Sequence, residues 1–192
     1  ESYGSGQGQS YVVFGKASWA GTPSIDLATL DGTNGFRLSA GVIAEGFSVS
    51  SAGDVNGDGF ADVIVGAHEQ PFNPNFPYGT GQSYVVFGKA NWDGTASLDL
   101  AALDGTNGFR LAGDELFEGA GFSVSTAGDV NGDGFADLIV GAPFGEKSYV
   151  VFGKTTWAGT PSLDLATLDG TNGFRLTGID LSDRSGYSVS SA

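Results

Sequence analysis

Cysteine is absent from the 192 residues, which excludes a disulfide framework and any thiolate metal site. Long apolar runs are missing as well. No stretch approaches the ~18 residues that span a bilayer as a helix, and the first residues carry no signal-peptide pattern. Basic residues are scarce: Lys and Arg total 8 against 22 Asp and Glu, giving a formal net charge of −14. A chain this acidic repels phosphate backbones, so nucleic acid and anionic membrane surfaces are excluded as partners, and multivalent cations are favoured. Histidine occurs once, at His68. It has no repeated set of partners, so loop packing is its expected role. No segment sustains a helical period of 3.6, although "SIDLATL" has room for one helical turn.

What is present argues for a packed fold. Hydrophobic residues make up 40% of the chain, with 14 Phe, 6 Tyr and 3 Trp, too much apolar material for an acidic disordered chain. The length suits a single domain with a real core. Self-similarity is the strongest signal. "SYVVFGK" begins at 10, 83 and 148, and "LDGTNGFRL" at 30, 103 and 168. "SVS" begins at 48, 123 and 188, while "GDVNGDGFAD" begins only at 53 and 128. One unit is therefore 65 to 75 residues long. Within it, "GFSVS" alternates in the period of a pleated strand, and "DVIVGA" and "SYVVFG" are short, β-branched or aromatic, and apolar on both faces. Four such strands per unit predict an all-β fold of small sheets stacked face to face, a β-propeller in preference to a sandwich or solenoid.

The acidic stretch has the pattern of a cation loop. Asp54, Asn56, Asp58 and Asp62 stand at loop positions one, three, five and nine, with Gly59 at six and the carbonyl of Phe60 at seven. The second copy supplies Asp129, Asn131, Asp133, the Phe135 carbonyl and Asp137. Three carboxylates, an amide oxygen and a carbonyl form a hard anionic set. It suits Ca²⁺, which accepts irregular oxygen coordination, better than Mg²⁺. An EF-hand would need a bidentate Glu at position twelve and flanking helices. Valine stands there instead, at Val65 and Val140, so each loop joins two strands. Two calcium sites are expected. A plain Asn-Gly hairpin turn would need only one such dipeptide, not four oxygen ligands twice over.

The motifs "GFSVSSAGDVNGDGFADVIVGA", "GFSVSTAGDVNGDGFADLIVGAP" and "SYVVFGK" resemble the FG-GAP repeats of integrin α subunits and of bacterial surface proteins, over essentially the whole chain. The name elements are degenerate: Gly-Ala-Pro is intact at 141–143 but reads Gly66-Ala67-His68 in the first copy, and Phe-Gly is replaced by Glu45-Gly46, Ala120-Gly121 and Ser185-Gly186. The resemblance implies a seven-bladed propeller of four-stranded antiparallel blades, in the order "SVS", "IVGA", "SYVVFG", "GFRL". About two and a half blades are present. Residues 1–45 would end one blade, 46–111 and 121–176 would be full blades with calcium loops, and 186–192 would open another. On this reading both ends fall inside blades, which makes the chain a piece of a larger propeller, completed by a longer chain or by other copies.

The resemblance also implies a ligand face opposite the calcium loops. There the first full blade has a long loop at 68–82 bearing Phe72, Phe76 and Tyr78 among three prolines, a stiff aromatic surface for a protein or glycan ligand. Packing of these rings onto their own blade is the bland alternative. Glu115 and Glu118, with Asp180 and Asp183 in the next unit, imitate a glycosidase carboxylate pair, but a solvated acidic rim accounts for them better. Arg37, Arg110 and Arg175 recur in "GFRL" and read as structural, salt-bridging a nearby Asp. "GSGQG" at 4–8 lacks the helix of a phosphate loop. The expected protein is a non-catalytic, calcium-stabilised module for adhesion or ligand recognition, extracellular or at a cell surface. The missing cysteines suggest a bacterial source. A polysaccharide-active propeller enzyme and a structural spacer of an adhesin are the alternatives.

Overall fold

The structure, a computed structural model, describes residues 9–39, 47–68, 79–180 and 182–191. Its strands are β1 (Gln9–Val13), β2 (Gly35–Ser39), β3 (Phe47–Gly53), β4 (Asp62–Ala67), β5 (Gln82–Val86), β6 (Ser97–Asp99), β7 (Gly108–Ala112), β8 (Ser123–Gly128), β9 (Asp137–Ala142), β10 (Lys147–Val151), β11 (Ser162–Asp164) and β12 (Gly173–Thr177). They form three sheets, ordered β1-β2-β6, β11-β7-β5-β4-β3 and β12-β10-β9-β8. The fold is all-β, and the antiparallel runs β3-β4-β5-β7 and β8-β9-β10-β12 are propeller blades in the strand order expected. Of residues 186–192, expected to open a further blade, the described ones, 186–191, form no strand.

The middle blade is apolar on both faces because it has a neighbour on each side. Val65 and Ala67 of β4 point into one core with Phe36, Leu38, Tyr84 and Val86. Ile64, the residue before Val65, points into the other, with Phe109, Leu111, Leu138 and Val140. The pleat thus sends successive side chains of one strand into two different cores.

Two features were not read from the sequence as strands. β6 and β11, both "SLD", are three-residue strands that pair in parallel with the outer strand of the preceding blade. Their registers set Ser97 opposite Arg37 and Ser162 opposite Arg110. Each unit therefore lends a strand to the sheet before it. The single turn allowed for "SIDLATL" is a 3₁₀ turn, at Leu27–Thr29, Leu100–Ala102 and Leu165–Thr167. In each, the preceding Asp side chain accepts the amide two residues on, at 2.9 Å, as a helix cap does.

The same interface is built twice. Phe36 stacks on Trp92 of the next unit at 4.1 Å and 14°, and Phe109 on Trp157 at 3.7 Å and 7°. The other face of each indole carries a lysine, Lys89 at 4.3 Å and Lys154 at 4.2 Å. Backbone approach is close where blades meet. At Gly121 an added Cβ would lie 2.3 Å from the Gln82 carbonyl, so only glycine fits this position of "GFSVS". The Ser48 and Ser123 hydroxyls donate to the carbonyls of Gly121 and Gly186 at 3.0 and 2.8 Å.

Candidate metal centre

The acidic loops join β3 to β4 and β8 to β9. A bulge between Ser51 and Gly53, and again between Thr126 and Gly128, ends the ladder and turns the chain out of the sheet. Gly57 and Gly59 take φ of 73° and 88°, and Gly132 and Gly134 take 75° and 91°. This left-handed region is costly for residues with a Cβ.

The turn is wound around its first carboxylate. Asp54 accepts the amides of Gly57, Asp58 and Gly59 at 2.7, 3.1 and 2.9 Å. Asn56 Oδ1 accepts from the Asp58 amide at 3.0 Å, and Asp58 accepts from the Phe60 amide at 2.9 Å. Asp62, the first residue of β4, is buried and ties the loop to the sheet. It accepts the Val55 and Gly88 amides, both at 2.8 Å. The second loop repeats the whole pattern. Asp129 holds Gly132, Asp133 and Gly134 at 2.8 to 3.0 Å. Asn131 accepts from Asp133 at 3.1 Å and Asp133 from Phe135 at 2.9 Å. Asp137 accepts Val130 at 2.7 Å and Gly153 at 2.9 Å.

Electrostatics strain these groups. Burial pushes the Asp62 carboxyl up to about 6, and the charges of Asp58 and Asp54 push it the same way, against the two amide bonds that favour ionisation. Asp137 is raised for the same reasons, with Asp133 as its charged neighbour.

Among the described residues, no group of three or more acidic, histidine or cysteine side chains is gathered closely enough to hold a metal by itself. The structure brings Asp54, Asn56 and Asp58 together around one turn, but Asp62 and Asp137 are turned to backbone amides, one of their own loop and one just beyond β5 or β10. The donor chemistry still fits a hard divalent cation. A carboxylate has about four lone-pair sites, and Asp58 and Asp62 each spend two on hydrogen bonds. The loop oxygens are thus held in place without being saturated.

The two loops are not equally sheltered. The Asp54 carbonyl accepts the Ala136 amide and the Val55 carbonyl the Lys154 amide, both at 3.0 Å. Val55 is accordingly 0% exposed and its counterpart Val130 is 49% exposed.

The other candidates resolve differently. Phe72, Phe76 and Tyr78 lie outside the described residues. His68 is buried, its ring 4.8 Å from that of Phe122. The expected acidic rim needs correcting at Glu118, which is 1% exposed. It accepts from the Asp114 amide at 2.6 Å and from the Tyr149 hydroxyl at 2.7 Å. The buried Lys147 ammonium lies 2.6 Å from the exposed Glu115 and 3.9 Å from Glu118. Burial raises the Glu118 carboxyl above its usual range. In the next unit Asp183 closes the equivalent turn, accepting the Ile179 and Ser185 amides at 2.9 and 2.8 Å. Among the described residues, Arg175 is the one repeated arginine that bridges an Asp, Asp114, at 3.2 Å. Arg37 and Arg110 donate instead to Ser97 and Ser162 of the next unit, at 3.4 and 3.2 Å.

Stacked four-stranded sheets, each entered through the same acidic hairpin, define a β-propeller repeat protein. The FG-GAP repeat profile matches residues 46–86 and 120–153. The chain is 31% identical to chicken integrin alpha-V over 157 residues, 74% of this chain and 14% of that protein. It is 34% identical to integrin alpha pat-2 of Caenorhabditis elegans over 159 residues, 73% of this chain and 12% of that protein. It is 37% identical to human integrin alpha-7 over 112 residues, 58% of this chain and 8% of that protein. The chain thus carries FG-GAP repeats of the integrin α type, and it spans only 8% to 14% of the length of these relatives. All three are animal proteins, which lends no support to the bacterial source read from composition. No helix among the described residues is long and apolar enough to cross a membrane.

Proposed function

We propose that this chain is a calcium-binding propeller module of an extracellular or cell-surface protein, acting in adhesion or ligand recognition without catalysis. The observation that carries the reading is the identical pre-wound arrangement of Asp54, Asn56, Asp58 and Asp62 and of Asp129, Asn131, Asp133 and Asp137. The Phe60 and Phe135 carbonyls complete the two ligand sets. A bound cation supplies charge neutralisation: it offsets the mutual repulsion of the loop carboxylates and locks the hairpin to its strand. Millimolar extracellular calcium fills even weak oxygen cages, whereas cytosolic calcium does not.

The similarity to integrin α subunits supports the recognition role. A protein ligand on the face opposite the calcium loops, contacting Phe72, Phe76 and Tyr78, is the corresponding assignment; a glycan is the second candidate. The burial of Glu118 and its bonds to Tyr149 and Asp114 favour a structural role over that of a general acid. Thermal melting in calcium and in EDTA tests the proposal. A higher Tm in calcium, reversed by chelation, is expected; equal melting in both removes the calcium assignment.

A further inference from the structure

The groove between the first and middle sheets holds a pocket of about 390 Å³, within the size range of small-molecule sites. Its floor is apolar: Tyr84, Leu100 and Leu103 line it and are only 2% to 7% exposed. Its rim is polar, with Gln82 from β5, Arg110 from β7 and Ser162 from β11. The β5–β7 register sets Tyr84 opposite Arg110 and Gln82 opposite Ala112. The ring, the guanidinium and the amide therefore stand on one face of the middle sheet.

Arg110 is the unbalanced group of this pocket. Its Nε donates to the Ser162 hydroxyl at 3.2 Å, which leaves both terminal NH₂ groups of the fork for a ligand. Among the described residues, no carboxylate lies within salt-bridge distance of it. The interface between the middle and last sheets shows what this position takes. There the β10–β12 register sets Tyr149 opposite Arg175, with Lys147 where Gln82 stands. Both cations are met by carboxylates: Arg175 by Asp114 at 3.2 Å, and Lys147 by Glu115 at 2.6 Å and Glu118 at 3.9 Å.

We propose that this pocket is a binding site for an acidic sugar, a hydroxylated ring bearing a carboxylate. The carboxylate takes the Arg110 fork through two parallel hydrogen bonds. The Ser162 oxygen already accepts from Arg110, so its own proton is left to donate, and the Gln82 amide both donates and accepts. These rim groups suit ring hydroxyls, while the C–H face of the ring rests on Tyr84, Leu100 and Leu103. An apolar acid would leave Gln82 and Ser162 without partners on desolvation, and a neutral sugar would leave Arg110 without one. None of these groups belongs to the acidic loops, so the site is independent of the calcium reading.

Amide NMR of the full chain at fixed ionic strength tests this, with galacturonate, galactose, acetate and a short peptide with a free terminal carboxylate as probes. Galacturonate is expected to shift the signals of Gln82, Ala101, Arg110 and Ser162 saturably. The other probes should bind about tenfold more weakly, as losing a charge-assisted bond or the ring contacts implies. Arg110→Gln should weaken galacturonate by a similar factor, and Ala101→Phe, which fills the pocket from an exposed lining position, should block it. Arg175→Gln, at the counterpart already paired with Asp114, should leave binding unchanged. Circular dichroism checks that each variant is folded. The absence of a saturable shift overturns the proposal, as does a shift that survives Arg110→Gln. Acetate binding as tightly as galacturonate would mark an adventitious ion only, and galactose or the peptide doing so would remove the acidic-sugar assignment.

Discussion

The rings of Phe109 and Trp157 lie 3.7 Å apart and 7° from parallel, and they belong to different repeats. This stack, with Lys154 on the far side of the indole, welds one blade to the next. Removing it is expected to be severe. Trp157 is 3% exposed, so Trp157→Ala should cost about 3–5 kcal/mol, the range for deleting a buried aromatic. Trp19 occupies the same place in its repeat but is 44% exposed, and Trp19→Ala should leave the unfolding midpoint of the single chain nearly unchanged. Denaturant titration of both variants at low protein concentration checks the contrast.

Gly57 and Gly132 offer a second matched pair. Both need left-handed backbone, so alanine at either should cost about 1–2 kcal/mol from conformation alone. Only at Gly57 would the new methyl meet the Phe135 ring, adding overpacking of about 1–3 kcal/mol. Gly57→Ala is expected to melt well below Gly132→Ala when both are measured in EDTA.

Glu118 predicts a pH dependence. Its folded carboxyl is raised above its ordinary value of 4.5, chiefly by burial, so the folded chain holds this proton more tightly than the unfolded chain. Its contribution is then fully present below about 4.5 and is lost as pH rises through the higher folded value. Glu118→Gln should flatten that part of the stability profile, measured by denaturation between pH 4 and 8 at fixed salt, roughly the range over which such a shift acts. Tyr149→Phe leaves a Glu118 oxygen without its buried donor and should cost roughly 1–3 kcal/mol.

The sequence carried the blade pattern because repetition made it legible. Ile64 and Val65 could be read as a strand buried on both sides without knowing what lay on either side. The acidic loop was legible for a related reason: Asp54 winds the turn through amides of its own loop, a local device that spacing encodes. β6 and β11 were not. "SLD" is three residues long and becomes a strand only when the preceding blade offers Arg37 or Arg110 beside it, a non-local partner that local pattern cannot report. Glu118 was misplaced on a solvated rim for the same reason, since Tyr149 and Lys147, the groups that bury it, stand some thirty residues away in sequence. The missing cue was the lone Lys147 at the head of β10, where the other units carry Gln9 and Gln82.

The central claim is that the two hairpin loops hold calcium on the side chains named. Calorimetric titration of the chelator-stripped chain with calcium measures this directly. The account predicts two ions per chain, one after Asp58→Ala, one after Asp133→Ala, and none after both. No uptake by the unaltered chain, or uptake that the paired substitution leaves at two, would contradict it.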